Sequence, residues 1–178
     1  METIRGKRLS LLIKEEDIKK RVKELGREVE RDFATSKELI VVGLLKGAFI
    51  FMADLVREIK LPLKIDFLWV SSYGQSMESS GNIKIVKDID VDIEGREVLL
   101  VDDILDTGLT LKEIYEFLRI RNPSKLKTCV LLDKKERRKV DFNADYVGFE
   151  VPNLFLVGYG LDWGELGRNL PGVYAVED

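Results

Sequence analysis

The chain has 178 residues, a net charge of −3 at pH 7 and 45% hydrophobic residues, which predicts a single globular domain. The slight acidic excess argues against a nucleic-acid-binding surface. No apolar run is long enough to span a bilayer, and residues 1–13 are too charged for a secretion signal, so we expect a cytoplasmic protein.

Histidine is absent from the sequence, and cysteine occurs once. The absence of histidine excludes a serine–histidine or cysteine–histidine nucleophile and the usual zinc sites. Proton transfer then falls to Asp, Glu, Lys or Tyr side chains. A catalytic metal should be a hard cation held by oxygen atoms, and Mg²⁺ with a phosphate ligand is the expected case.

The first half of the chain alternates helical and strand patterns. Residues 14–33 carry apolar side chains on one face and predict an amphipathic helix. Residues 38–45 predict a buried strand, a helix follows over 49–59, and 61–72 predict a second strand. Residues 71–82 are predicted to form a long polar loop. The loop contains a tyrosine, which indicates a lid or binding loop, although a disordered loop without a role is the alternative.

The second half predicts further strands and one more helix. The strands cover 83–88, 98–101, 126–132, 145–149, 154–159 and, at a sheet edge, 174–176. Apolar residues at helical spacing predict a helix over 111–118. Strands that alternate with helices in this way predict an α/β fold, with an open, twisted, mainly parallel sheet flanked by helices.

The chemistry is concentrated just after the strand at 98–101. Asp102, Asp103 and Asp106 follow that strand, and a glycine-containing turn with two threonines leads into the helix. Backbone N–H groups at a helix start bind anions. Phosphate on the helix and sugar hydroxyls on the carboxylates would make a sugar-phosphate site. The alternative is that these residues only cap the helix, but three carboxylates before the turn exceed what capping requires.

The run Asp-Asp-Ile-Leu-Asp-Thr-Gly-Leu-Thr after an apolar strand resembles the motif with which type I phosphoribosyltransferases bind 5-phospho-α-D-ribose 1-diphosphate (PRPP). The stretch 147–170 narrows the resemblance to the hypoxanthine-guanine branch. In that family Asp106 is implied as the general base for purine N7, and Asp102 and Asp103 bind the ribose hydroxyls. The implied 5′-phosphate loop consists of Asp106, Thr107, Gly108, Leu109 and Thr110.

The resemblance also implies the residues that bind the leaving diphosphate. Lys46 and Gly47 match the diphosphate loop, in which the peptide before the lysine can be cis. Ser72 and Tyr73 match a Ser-Tyr pair on a lid that closes over the site. Arg168 is implied as a further diphosphate contact.

The base and the metal have implied residues of their own. Lys134 corresponds to the lysine that donates to the exocyclic oxygen of a 6-oxopurine, Phe155 to the stacking ring, and Leu156 to a backbone contact on the purine edge. Asp162 is implied both beside the base and as a Mg²⁺ ligand, with Asp102 and Asp103 as further metal contacts. The charged neighbours Lys135, Glu136 and Lys139 are interpreted as a solvated face.

Two residues depart from the family pattern. Asp102 stands where many relatives have Glu, so contacts to the ribose should be longer or bridged by water. Leu109 stands where some relatives carry Lys, which should matter little if backbone amides grip the phosphate.

The expected activity is transfer of phosphoribose from PRPP to hypoxanthine or guanine, giving IMP or GMP and diphosphate, with Mg²⁺ as cofactor. A xanthine-preferring enzyme and a non-catalytic regulator on the same fold are the alternatives. We expect one domain over 1–178, with a core at 36–145, a hood from 1–13 and 146–178, and a lid at 71–82. The expected partners are small-molecule substrates and other copies of the chain, as a homodimer or homotetramer, without nucleic acid or membrane.

Overall fold

The computed structural model describes residues 2–72 and 83–178. In chain order the elements are β1 (Thr3–Ile4), β2 (Lys7–Ile13), α1 (Glu15–Asp32), β3 (Leu39–Leu45), α2 (Phe49–Arg57), β4 (Leu63–Ser72), β5 (Ile83–Lys87), β6 (Glu97–Leu105), α3 (Leu109–Arg119), β7 (Lys125–Asp133), β8 (Tyr146–Glu150), β9 (Leu156–Val157) and β10 (Val173–Val176). A short 3₁₀ turn covers Lys135–Arg137.

The larger sheet has the strand order β5-β4-β3-β6-β7-β8. Strands β4, β3, β6, β7 and β8 run parallel to their neighbours, and only the pairing of β5 with β4 is antiparallel. The carboxyl ends of the parallel strands therefore meet at one edge, where open α/β sheets bind their ligands. The α/β fold class predicted from the sequence is confirmed.

Helices cover both faces of this sheet, and β6 shows how the sequence produces the two layers. Its alternate residues point to opposite faces, as the pleat of a strand requires. Leu99 and Val101 pack into the core under α1 and α2, whereas Val98 and Leu100 pack into the core under α3. This double burial explains the continuous apolar run that the sequence shows there.

A smaller antiparallel sheet joins the two ends of the chain in the order β1-β2-β10-β9. Its core contains Ile4, Val157 and Leu170. The strand predicted at 174–176 is confirmed, but its predicted edge position is wrong, because β10 is paired on one side with β2 and on the other with β9. The predicted strand at 154–159 contracts to the two residues of β9.

Two boundaries differ from the sequence-based expectation. Strand β6 does not end at Val101 but continues to Leu105, because its pairing with β7 runs as far as Leu105 opposite Asp133. The acidic pair is thus part of a strand rather than a loop. Strand β8 belongs to the larger sheet, so the hood boundary predicted at residue 146 begins one strand too early.

The predicted lid at 71–82 falls mostly outside the described residues. Ser72 ends β4, and Tyr73 lies in the part of the chain that is not described. Within the described ranges, no helix combines the length and the apolar character needed to cross a membrane.

Candidate active site

The two carboxylates near the end of β6 lie side by side and are partly buried. The backbone N–H of Asp103 donates to Asp102 Oδ1 (2.8 Å), and that of Ile104 donates to Asp103 Oδ1 (2.7 Å). Removal from water, together with the charge of Asp103, raises the pKa of Asp102 well above its usual range. Removal from water also raises the pKa of Asp103. Hydrogen-bond donors on a ligand, such as sugar hydroxyls, would stabilise the charged form of this pair.

The turn between β6 and α3 forms a cavity of about 390 Å³. Gly108 has a φ of 86°, a conformation that side chains disfavour, and a Cβ there would lie 2.9 Å from Arg138 Cδ. The glycine therefore permits both the turn and the close packing behind it. Of the predicted phosphate loop, Leu109 does not line the cavity. The lining residues are Asp102, Ile104, Leu105, Asp106, Thr107, Gly108, Thr110, Leu111, Arg137 and Lys139.

A second cavity of about 450 Å³ adjoins the first, and the two share Ile104, Asp106 and Arg137 as a common wall. The second cavity brings together the four residues that the sequence predicts around the base, which are Lys134, Phe155, Leu156 and Asp162. Asp103, Asn153, Leu154 and Leu161 complete its lining. After the ligand groups that the sequence predicts there, we call the first the phosphate cavity and the second the base cavity.

Lys134 enters the base cavity from a buried position. The residue is only 8% exposed, and its backbone N–H donates to the carbonyl of Leu105 at 2.9 Å. Within the described ranges its ammonium group makes no hydrogen bond to a protein acceptor. Burial lowers the pKa of Lys134, and the negative charge of Asp106 opposes that effect. A buried donor of this kind favours a ligand oxygen as its acceptor.

Asp106 lies in the wall between the cavities. Its Oδ1 accepts from Arg137 Nε at 2.9 Å, and the two side chains are 41% and 43% exposed. The ion pair is thus open to solvent, which makes it weak and easily rearranged. The carboxylate is placed to reach a ligand in either cavity.

A cluster of charged residues lies next to the base cavity. Its members come from the turn after β3 and from the segment between β9 and β10. Lys46 comes directly after β3, where the Leu45–Lys46 peptide is cis, as the family resemblance allows. Its Nζ lies 2.8 Å from Glu165 Oε2, and Arg168 Nη2 lies 3.1 Å from Glu165 Oε1. Arg168 also approaches Asp162 Oδ1 at 3.4 Å. The two predicted diphosphate ligands are therefore neighbours.

Gly47 connects this charged cluster to the acidic pair. A Cβ at Gly47 would lie 2.1 Å from Asp103 Oδ2, and a Cβ at Gly160 would lie 2.3 Å from the Gly47 carbonyl oxygen. Neither position has room for a side chain. The predicted diphosphate loop thus packs directly against the carboxylate of Asp103.

Sequence reasoning missed several residues of the site. Glu165 bridges Lys46 and Arg168, but nothing in its spacing distinguishes it from a surface glutamate. Arg137 lies in a charged run that resembles a solvated face, and the sequence places Lys139 on that face. Lys139 is exposed, yet it lines the phosphate cavity.

The donor set suits a cation only in part. Among the described residues, no group of three or more acidic or cysteine side chains is arranged to hold a metal ion. Asp162 offers one carboxylate, which also accepts from the backbone N–H of Glu165 at 2.8 Å. Such a set fits Mg²⁺ bound mainly through substrate oxygens, which is the usual arrangement for this ion.

Comparison with known proteins places this geometry in a family. A phosphoribosyl transferase domain model matches residues 12–163. A hypoxanthine-guanine phosphoribosyltransferase from Aquifex aeolicus is 69% identical over 178 residues and covers 100% of both chains.

Solved structures of similar proteins support the same family assignment. A hypoxanthine-guanine phosphoribosyltransferase from Bacillus anthracis has a TM-score of 0.91 at 49% identity and covers 94% of this chain and 98% of its own. A hypoxanthine phosphoribosyl transferase from Trypanosoma cruzi, solved to examine the role of its C-terminal region in oligomeric state and activity, has a TM-score of 0.91 at 40% identity and covers 94% and 91%. The chain belongs to the phosphoribosyltransferase family, in its hypoxanthine-guanine branch.

Proposed function

We propose that this enzyme transfers the 5-phosphoribosyl group of PRPP to hypoxanthine or guanine in purine salvage, giving IMP or GMP and diphosphate. The observation that carries the proposal is the pair of adjoining cavities that share Asp106. The N-terminus of α3 borders one cavity and can bind a phosphate. The other cavity is lined by the buried Lys134, which can donate to a purine oxygen. A nucleoside monophosphate has these two recognition elements joined by a ribose.

The 5′-phosphate lies, in this proposal, on the turn before α3. The backbone amides of the turn and the hydroxyls of Thr107 and Thr110 donate to it, and Gly108 lets it approach closely. The ribose hydroxyls then reach Asp102 and Asp103 on the last part of β6. Leu109 contributes through its backbone position rather than through its side chain.

The leaving diphosphate lies between Lys46 and Arg168, which neutralise its charge. Gly47 presents backbone to it, and Ser72 and Tyr73 would close over it and exclude water from the activated sugar. Asp162, with Asp102 and Asp103 as further carboxylates, would hold Mg²⁺, which supplies charge neutralisation and orientation of the departing oxygens when bound.

The base lies in the base cavity. Lys134 donates to the oxygen at purine position 6, Phe155 stacks on the ring, and the backbone of Leu156 contacts the purine edge beside Asp162. The side chain of Phe155 is 52% exposed, so a face of its ring is available for stacking. Asp106 then accepts the proton of N7 as the N9 atom of the purine attacks the sugar carbon and diphosphate leaves.

Lys134 decides the base class, since an ammonium group is a donor only. Adenine presents an amino group at position 6 and would leave this buried charge without an acceptor, which is strongly unfavourable. Hypoxanthine and guanine both carry an oxygen at position 6, which accepts a hydrogen bond from Lys134. A xanthine-preferring enzyme and a non-catalytic regulator are less well supported, because the relatives named above are hypoxanthine-guanine and hypoxanthine enzymes.

We further propose that the small sheet acts as the hood of the site, with residues 71–82 as its lid, and that the enzyme works in the cytoplasm as a homodimer or homotetramer. The hood proposal is supported by Asp162 and Arg168, which lie between β9 and β10. Light scattering on the purified protein would measure the oligomeric state directly.

The test of the proposed function is a competition assay among the four bases hypoxanthine, guanine, xanthine and adenine, with PRPP and Mg²⁺. Diphosphate release should be fastest with hypoxanthine or guanine, and adenine should give almost none. Preference for xanthine would support the alternative specificity. No release with any purine would contradict the enzymatic proposal and favour a regulator.

A further inference from the structure

Arg137 is the only cation in the described chain that lines both cavities, and the proposed reaction leaves it without a role. Its Nε lies 2.9 Å from Asp106 Oδ1. With its side chain 43% exposed and that of Asp106 41% exposed, the contact can open without leaving a buried charge unpaired. Arg137 can therefore exchange this partner for a ligand group.

The segment that carries Arg137 is anchored to the phosphate loop. The backbone N–H of Lys139 donates to the Thr107 carbonyl at 2.9 Å, and Arg138 Nε donates to the Asp106 carbonyl at 3.2 Å. Arg138 packs behind Gly108, where a Cβ would meet it at 2.9 Å. Arg138 thus supports the loop from behind, whereas Arg137 and Lys139 line the cavity itself.

The charge of the phosphate cavity supports a role for both residues. A phosphate monoester carries roughly −1.5 to −2 charges at pH 7. Among the described residues that line this cavity, Asp102 and Asp106 are the acids, and Arg137 and Lys139 are the cations. Leu109 adds no charge at the start of α3. Without Arg137 and Lys139, the phosphate would face carboxylates and be held only by neutral donors, the backbone amides and the threonine hydroxyls, with no cation to balance its charge.

We propose that Arg137 changes partner when substrate binds. In the free protein it pairs with Asp106, and in the complex it binds the 5′-phosphate together with Lys139, which leaves the carboxylate of Asp106 free to face purine N7. The exchange is favoured because the exposed ion pair between Arg137 and Asp106 contributes little free energy, whereas a guanidinium binds phosphate with two parallel hydrogen bonds. This inference rests on the proposed function, because it takes the 5′-phosphate to lie in the phosphate cavity.

The test compares two ligands that differ only in the phosphate, GMP and guanosine, by calorimetric titration of the wild-type protein and Arg137→Gln. Loss of a charged hydrogen bond should weaken GMP binding by about ten-fold or more. Guanosine binding should be unchanged, and it also shows that the variant is folded. Lys139→Gln should weaken GMP alone, by a smaller factor.

Lys135→Gln is the matched control, since Lys135 lies on the same turn but pairs with Glu150 away from the cavities. It should leave both affinities unchanged. Equal weakening of GMP and guanosine by Arg137→Gln would overturn the inference, because Arg137 would then act only through Asp106. Unchanged affinity for both ligands would also overturn it. Failure of the wild-type protein to bind GMP would instead contradict the proposed function.

Discussion

The two cavities that meet at Asp106 are built in different ways. The phosphate cavity comes mostly from one continuous segment, residues 102–111, with a second wall at 137–139. The base cavity draws on the end of β6, the turn after β7 and residues 153–162. The phosphate cavity depends on a local strand–turn–helix conformation, and the base cavity depends on how the small sheet packs against the large one. Substitutions should separate the two dependencies.

The largest effect is expected from Asp106→Asn, at the wall that both cavities share. If Asp106 is the general base, its loss should lower kcat by about 10²- to 10⁴-fold. The melting temperature should hardly change, because the exposed pair with Arg137 contributes at most about 1 kcal/mol. Steady-state kinetics across pH would measure this. A pH–rate profile that matches the wild-type protein would rule out the assigned role.

Lys134→Met should affect the base cavity alone. Loss of a charged donor is worth about 1.5–3 kcal/mol, so GMP affinity should fall by roughly 10- to 150-fold while ribose 5-phosphate binds as before. Lys135→Met removes the neighbouring exposed lysine and serves as the control. Equal loss of ribose 5-phosphate binding would mean that the two cavities are not separable in this way.

The pH dependence of GMP binding is a second test of the contact between Lys134 and the purine oxygen. Burial lowers the pKa of Lys134, and only the protonated ammonium donates to the purine oxygen. As the pH rises, GMP affinity should therefore begin to fall at a lower pH than it would if the lysine were exposed. Titrations of the wild-type protein and Lys134→Met at a series of pH values separate this decline from the titration of the ligand. Identical pH profiles would contradict the assigned contact.

Gly108→Ala should affect the phosphate cavity alone. Its φ of 86° disfavours a side chain by about 1–2 kcal/mol, and the new Cβ would press on Arg138. We expect GMP to bind about ten-fold more weakly and guanosine to bind normally. Gly95→Ala is the control, since Gly95 has a φ of 70° and a Cβ there would have no neighbour within 4 Å. It should carry the same backbone cost without the contact that Gly108→Ala makes with Arg138, and it should leave GMP affinity unchanged.

The smallest effect is expected from Glu165→Gln, outside both cavities. Glu165 holds Lys46 and Arg168 in the ligand-free protein, and their hydrogen bonds lower its pKa. If diphosphate binds between Lys46 and Arg168 as proposed, it has to displace this carboxylate, so the neutral variant should bind diphosphate a few-fold more tightly. Glu150→Gln, which breaks an exposed pair with Lys135, is the control. Weaker binding would mean that Glu165 instead positions the two cations.

The phosphate cavity could be predicted from sequence because its determinants are adjacent in the chain. An apolar strand, acids, a glycine turn and a helical pattern occur within residues 98–118, and each has a local physical meaning. The end of β6 could not be predicted, since acidic residues are unusual in a buried strand. Their position is decided by pairing with β7, which no local pattern reveals.

The base cavity could be placed only through the family resemblance. Phe155, Leu156 and Asp162 lie on a segment with one two-residue strand and several residues at positive φ, so periodicity carries no signal there. Arg137, Lys139 and Glu165 escape sequence reasoning because a charged side chain near a ligand and one in solvent look the same in a sequence. Their positions beside the cavities are decided by long-range packing alone.

A crystal structure of the protein with GMP tests the central claim, that the two cavities form one site joined at Asp106. The account predicts the phosphate on the backbone amides of residues 107–110, with the purine oxygen within hydrogen-bond distance of Lys134 Nζ. A nucleotide with its phosphate between Lys46 and Arg168, or with its base outside the cavity lined by Phe155, would contradict it.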